Sequence, residues 1–244
     1  MIARLALNES NINFNMRYMD IHLAKEQLSP WYIAINPHMT VPTLTDGKQT
    51  LTDSRDILNF SSKIASQAWS DADPALSSDI EKIVAAHYKL AIEKLTFGKL
   101  MEKHSLLQKI FPFMLKRIIK QLKAESHTAS DPLAIQNKIA INEERLAYFT
   151  EGDLAKKLEA RREEAREFIK ILPQSEILLF GYKPSSADIV AAVFFARLKM
   201  IGEEDIIKAS PTLLSWFQRM ETRPAFIKSD IWVHFSPWRI LLKY

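Results

Sequence analysis

The chain has 244 residues, 47% apolar and 25% charged, with a formal charge of +4. That is the make-up of a soluble globular protein long enough for one large domain or two smaller ones. It has no cysteine and only five glycines, which excludes disulfides, cysteine-based metal sites and a thiol nucleophile supplied by the chain, and argues against a glycine-loop nucleotide binder.

The mild charge does not supply the concentrated basic face that nucleic-acid binding requires, so no nucleic-acid partner is expected. No run approaches the roughly 18 apolar residues of a spanning helix, and no basic segment leads into an apolar run at the N-terminus. A cytoplasmic location is expected. The six histidines show no close metal-ligand spacing, so no metal is expected.

In chain order, Ile2 to Ile12 carries an apolar stripe of Ile2, Leu5 and Ile12 at helical spacing. Phe14 to Asp20 alternates apolar and polar, the period of a half-buried strand. His22 to Ile35 reads as an irregular helix that Asn36-Pro37 ends. Val41 to Thr45, the Asp46-Gly47 turn and Gln49 to Thr52 form the strongest hairpin signal in the chain, and Ser54 opens the next helix.

The polar, proline-containing run from Ser70 to Ala75 reads as a linker. Beyond it nearly all is helical. Ile80, Ile83, Val84, His87, Tyr88 and Ala91 hold one face, which makes His87 a core or interdomain histidine. Asn142 to Lys170 is long and charged, with Gly152 as a break point. Further helices are expected over Ala187 to Met200 and Pro211 to Glu221.

The block Asn36-Pro37-His38-Met39-Thr40-Val41-Pro42-Thr43-Leu44-Thr45-Asp46-Gly47, followed by Leu51-Thr52-Asp53-Ser54-Arg55-Asp56-Ile57, resembles the glutathione-binding core of the glutathione transferases. The segment from Phe180 to Ile189 resembles that family's helix-start motif, with Ser185 as N-cap and Asp188 as its capping-box partner. Pro211 to Phe226, ending in Arg223-Pro224-Ala225-Phe226, resembles its late helix stopped by proline. The opening helix, Ala3 to Leu7, is also similar. The likeness is weak between about Met101 and Leu172, where an extended helical region is similar to the ganglioside-induced differentiation-associated branch, without a terminal membrane anchor.

The resemblance implies an α+β thioredoxin-like domain over 1–69 that lacks its first strand, then an all-helical domain over 78–244. It implies glutathione as co-substrate and a transferase that conjugates it to a small electrophile, working as a homodimer. A catalytically inactive binding or assembly module of the same family is the alternative. Glutathione recognition falls to Val41, Pro42, Asp53 and Ser54. A cis Val41–Pro42 bond turns the Val41 backbone outward to pair with the cysteinyl part of the tripeptide. Ser54 takes the γ-glutamyl carboxylate at the helix start, and Asp53 attracts the ammonium group or holds the turn.

In the family, a catalytic Tyr, Ser or Cys precedes the first helix. Met1 already lies in that helix, so the catalytic residue is unassigned, and an upstream segment carrying it is the expectation. Ser10, the nearby hydroxyl, sits at the wrong end of the helix. Tyr88 is placed toward the cleft for the electrophile.

Lys103 to Lys123 holds six cations and no acid among ten large apolar residues. Its apolar face is expected to pack into the helical domain with the cations on the solvated side, and peripheral membrane contact is the less favoured reading.

Overall fold

The computed structural model describes residues 1–21, 24–125 and 131–234. The expected class holds: a small α+β N-terminal part with two short strands, followed by helices. By packing, the chain forms two compact units, neither continuous in sequence. Among the described residues, one comprises 1–18, 42–90 and 163–234; the other comprises those within 19–41 and 91–162.

In the first unit, α1 (Ile2–Glu9) buries Leu5, Ala6 and Leu7 and packs on α3 (Ser54–Ile64). It stops short of Ile12 because Asn11 takes a left-handed turn at φ +59°, a conformation that asparagine tolerates. The alternating stretch Phe14 to Asp20 does not become a strand. Alternation sets which faces a strand shows, but the strand itself needs a paired neighbour. Here β1 (Leu44–Thr45) and β2 (Thr50–Leu51) pair, among the described residues, only with each other, with Leu44 opposite Leu51.

The hairpin turn takes four residues. The Asp46 carboxylate accepts the amides of Lys48 and Gln49, both at 2.9 Å, and Gly47 supplies φ +84°. Those amides hold the Asp46 carboxyl below the usual carboxylate range.

The expected linker is tied down. Trp69 is buried, the Ser70 amide donates to the Pro184 carbonyl at 2.8 Å, and Asp71 accepts the Ser186 amide at 2.9 Å. Asp73 then caps α4 (Pro74–Lys89), with Pro74 in the first turn.

The centre of this unit is α9 (Ser186–Ile201). Its run Ala187-Asp188-Ile189-Val190-Ala191-Ala192-Val193-Phe194-Phe195-Ala196 has no polar face, so it is buried on all sides. It is covered by α1, α4, α10 (Glu204–Lys208) and α11 (Pro211–Thr222). α12 (Pro224–Lys228) follows α11 at once, because Pro224 ends one helix and suits the first position of the next.

The capping box is present as expected. Ser185 Oγ accepts the Asp188 amide at 3.2 Å, and Asp188 accepts the Ser185 amide at 2.9 Å. Ser185→Ala is expected to lower stability by roughly 0.5–2 kcal/mol in denaturant titration, the usual cost of losing an N-cap. A fall in glutathione affinity at unchanged stability would mark Ser185 as a ligand residue instead.

In the second unit, a 3-10 turn at Glu26–Leu28 leads into the short α2 (Pro30–Ile33). This is the irregular helix expected there; His22 and Leu23 lie outside the described residues. Three longer helices follow: α5 (Ile92–Lys103), α6 (Ser105–Glu125) and α7 (Pro132–Thr150). α8 (Leu154–Lys170) begins after the expected break, where Gly152 takes φ +65°.

One cluster joins Leu28, Met39, Leu122 and Ile135. A second joins Met101, Leu115 and Phe149, with Phe97 stacked on Phe111 at 4.4 Å between ring centres. Leu115, Ile119 and Leu122 thus bury the inner face of α6, as the sequence suggests. Its outer face differs from the expectation: Leu106 is 66% exposed, Phe113 60% and Ile110 38%, so the solvated side is not cations alone.

Candidate functional site

The start of α3 gathers the polar residues singled out in the sequence. Asp53 is its N-cap, with one carboxylate oxygen accepting the Arg55 amide at 2.7 Å. Of the two roles open to Asp53, the structure displays the one that holds the turn. Ser54, the first helical residue, places its hydroxyl 2.9 Å from the Tyr88 hydroxyl on α4.

Arg55 forms an ion pair with Glu81, also on α4, and sets its guanidinium 5.9 Å from the centre of the Tyr88 ring. A run of Thr50, Leu51 and Thr52 leads straight into this corner, so the hairpin fixes where α3 begins. Burial pushes the Tyr88 hydroxyl up to about 12, partly offset by the Ser54 hydrogen bond. It is therefore a neutral hydroxyl at physiological pH, able to donate or accept but not to serve as a base.

Val41 and Pro42 are neighbours in the chain, and Val41 is 40% exposed. The backbone leading to Val41 is firmly held within the second unit. The Thr40 carbonyl accepts from the Tyr32 hydroxyl at 2.5 Å and from the Asn36 side-chain amide at 2.9 Å. Met39 sits at φ +53° with its side chain buried, a costly conformation for a residue of this shape. Lys138 on α7 donates to the Met39 carbonyl at 2.8 Å. Burial lowers the Lys138 amine to about 8. Sequence reasoning missed Lys138: a single lysine 99 residues away from its acceptor carries no local signal.

Ser10 is not available for chemistry. It is buried at the end of α1, and its hydroxyl donates to the Ser61 carbonyl of α3 at 2.8 Å. Beside Tyr88, His87 is buried as expected, among Phe168 and Phe194 at 5.9 and 6.2 Å between ring centres. Its Nδ1 has no hydrogen-bond partner among the described residues, and burial lowers the imidazole to about 3. Nearer the hairpin, Leu7, Ile12, Phe14, Leu44, Leu51 and Phe60 help line a cavity of about 340 Å³. Among the described residues, no group of His, Asp and Glu is placed to hold a metal ion; His22 and His127 lie outside them.

Residues 1–64 match the family model described as glutathione S-transferase, N-terminal domain. Over 235 residues the chain is 25% identical to the tetrachloro-p-hydroquinone reductive dehalogenase of Sphingobium chlorophenolicum, covering 93% of this chain and 89% of that protein. The fold is similar to that of the β-etherase LigF from Sphingobium sp. strain SYK-6, with a TM-score of 0.63 at 17% identity, over 93% of this chain and 92% of that one. It is also similar to a glutathione transferase homologue from Sulfitobacter with bound glutathione, with a TM-score of 0.57 at 16% identity, over 93% and 89% of the two chains. The N-terminal part is accordingly thioredoxin-like.

Proposed function

Because the chain belongs to the glutathione transferase family, we propose that it binds glutathione at the start of α3 and conjugates it through its sulfur to a small electrophile. The observation that carries this reading is the Asp53–Ser54–Tyr88 corner. A helix start with a capping carboxylate and a hydroxyl pair offers a γ-glutamyl group both partners it needs. The helix dipole and the Ser54 hydroxyl attract its carboxylate, and Asp53 attracts its ammonium. Val41 and Pro42 are proposed for the cysteinyl part of the tripeptide on the family resemblance, through backbone pairing like an added strand.

In the transfer step, the thiol loses its proton to solvent and the sulfur bonds to the electrophilic carbon. Where that carbon bears a leaving group, the group departs with its bonding pair. The likeness to a dehalogenase over nearly the whole chain supports an aromatic electrophile carrying halogen. The protein works as a cytoplasmic homodimer in this reading.

A second reading, a family member that binds without catalysing, is favoured by one observation. The Ser10 hydroxyl on α1 is buried and already donates to the Ser61 carbonyl at 2.8 Å, and recognition that is equal in ground and transition states does not speed chemistry.

Calorimetric titration with glutathione tests the binding, and turnover of a chlorinated nitroaromatic probe separates the two readings. Ser54→Ala is expected to weaken glutathione about tenfold, equivalent to roughly 1.4 kcal/mol. Tyr88→Phe, which frees the Ser54 hydroxyl but removes its partner, should weaken glutathione by a smaller factor without lowering the melting temperature. No measurable glutathione binding by the unaltered chain ends both readings; binding without turnover above the solution rate leaves the second.

A further inference from the structure

We propose that the outer face of α6 docks the protein on anionic membrane surfaces. The argument begins with the division of labour along the helix. At about 100° per residue, Leu115, Ile119 and Leu122 share one face and are buried in the core of their unit. Leu106, Ile110, Phe113, Arg117 and Lys120 fall on the opposite face, within a stripe roughly 80° wide. The first three of these are large apolar side chains left in solvent. They are not needed for the core, which the inner face already fills.

The charge pattern names the occupant. Lys109 and Lys116 lie along one edge of the stripe, and no Asp or Glu occurs from Lys103 to Ala124. Lys123 turns aside to pair with Glu143 at 2.6 Å. Lys109, Lys116, Arg117 and Lys120 form no ion pair among the described residues. An apolar ridge that continues into unpaired cations meets both layers of an anionic bilayer: the ridge enters the interface and the cations meet the lipid phosphates and carboxylates. A second copy of the chain is a poorer fit, because the same face brought against itself supplies more cations and no carboxylate from this segment. Spanning is not implied: among the described residues, no helix is long and apolar enough to cross a membrane. The attachment is peripheral and reversible.

Flotation of the full chain with lipid vesicles tests this. Vesicles of phosphatidylcholine alone should leave it behind, whereas vesicles in which a third of the lipid is phosphatidylserine should carry it. Molar salt should release it, because screening shortens the reach of the cations. Leu106→Gln with Phe113→Gln, and separately Arg117→Glu with Lys120→Glu, should each cut the bound fraction at least tenfold. Both pairs are exposed, so the melting temperature should hold; a variant that melts early is replaced by Phe113→Ser or Lys120→Gln alone. Failure to float with anionic vesicles at low salt overturns the proposal. So does flotation that the ridge variants leave untouched, or a concentration-dependent dimer that Phe113→Gln dissolves while no vesicle is bound.

Discussion

Asp188→Ala is expected to lower stability by about 3–5 kcal/mol, the range for breaking a buried charged network by removing one partner. The carboxylate is fully buried at the start of α9 and accepts four hydrogen bonds. They come from the Leu179 amide at 2.8 Å, the Ser185 amide at 2.9 Å, the Ser185 hydroxyl at 2.6 Å and the Trp216 indole at 3.2 Å. Alanine leaves two backbone amides and an indole without acceptors in a dry core, and each such orphan costs about 1–3 kcal/mol. The carboxylate thus ties three separate stretches of chain: the turn before α9, α9 itself and α11. Asp188→Asn keeps one acceptor oxygen but turns a donor toward the Ser185 amide, so it should fall between the wild type and alanine. Denaturant titration reads the effect through the midpoint at constant slope. A loss below about 1 kcal/mol for alanine would mean that the donors find other partners.

The second large effect is on acid stability, and two buried groups oppose each other in it. His87 is lowered to about 3 from an ordinary value of 6.5. Below pH 6.5 the unfolded chain binds a proton there that the folded chain refuses, so stability is lost as pH falls from 6.5 toward 3. Asp188 has the opposite sign. Burial raises it to about 6 from 3.8, against four donors that favour the charged form. Between pH 6 and 3.8 the folded chain binds that proton more readily, so acid in this window favours folding.

The wild type therefore shows a shallow response where the windows overlap. His87→Leu, close in volume and lacking the unpaired Nδ1, removes the first effect alone. Relative to wild type it should gain about 2–3 kcal/mol between pH 7.5 and 4.5, at about 1.4 kcal/mol per pH unit. At pH 7.5 it should be no less stable, since an apolar group replaces an unsatisfied one. Parallel stability curves for the two proteins across this range would show that His87 finds water or a partner on protonation.

What could be read along the chain was what neighbouring residues settle between themselves. The helix opening at Asp53-Ser54, the capping box of Ser185 and Asp188, the helix stop at Pro224, the turn at Asp46-Gly47 and the break at Gly152 all use hydrogen bonds or dihedral limits within a few residues. Such signals survive in the sequence because nothing distant has to cooperate. For the same reason α9 was recognisable as a core helix from its capping box and apolar run, and Asp53 and Ser54 were recognisable as the opening of α3.

Other features depended on residues far apart in the chain. Phe14 to Asp20 has the alternation of a strand but joins no ladder among the described residues, and a ladder is a property of two segments. The Tyr88 hydroxyl reaches Ser54 across 34 positions, and Lys138 reaches Met39 across 99. Ser70 to Ala75 has the composition of a linker, yet contacts more than 100 residues away fix it. On α6 the pattern implied one inward apolar face with the cations on the solvated side. It left open which side the remaining apolar residues take, because ten of them exceed what one buried stripe accommodates. Only packing against α5 and α7 decided which were covered, leaving Leu106, Ile110 and Phe113 beside the cations in solvent.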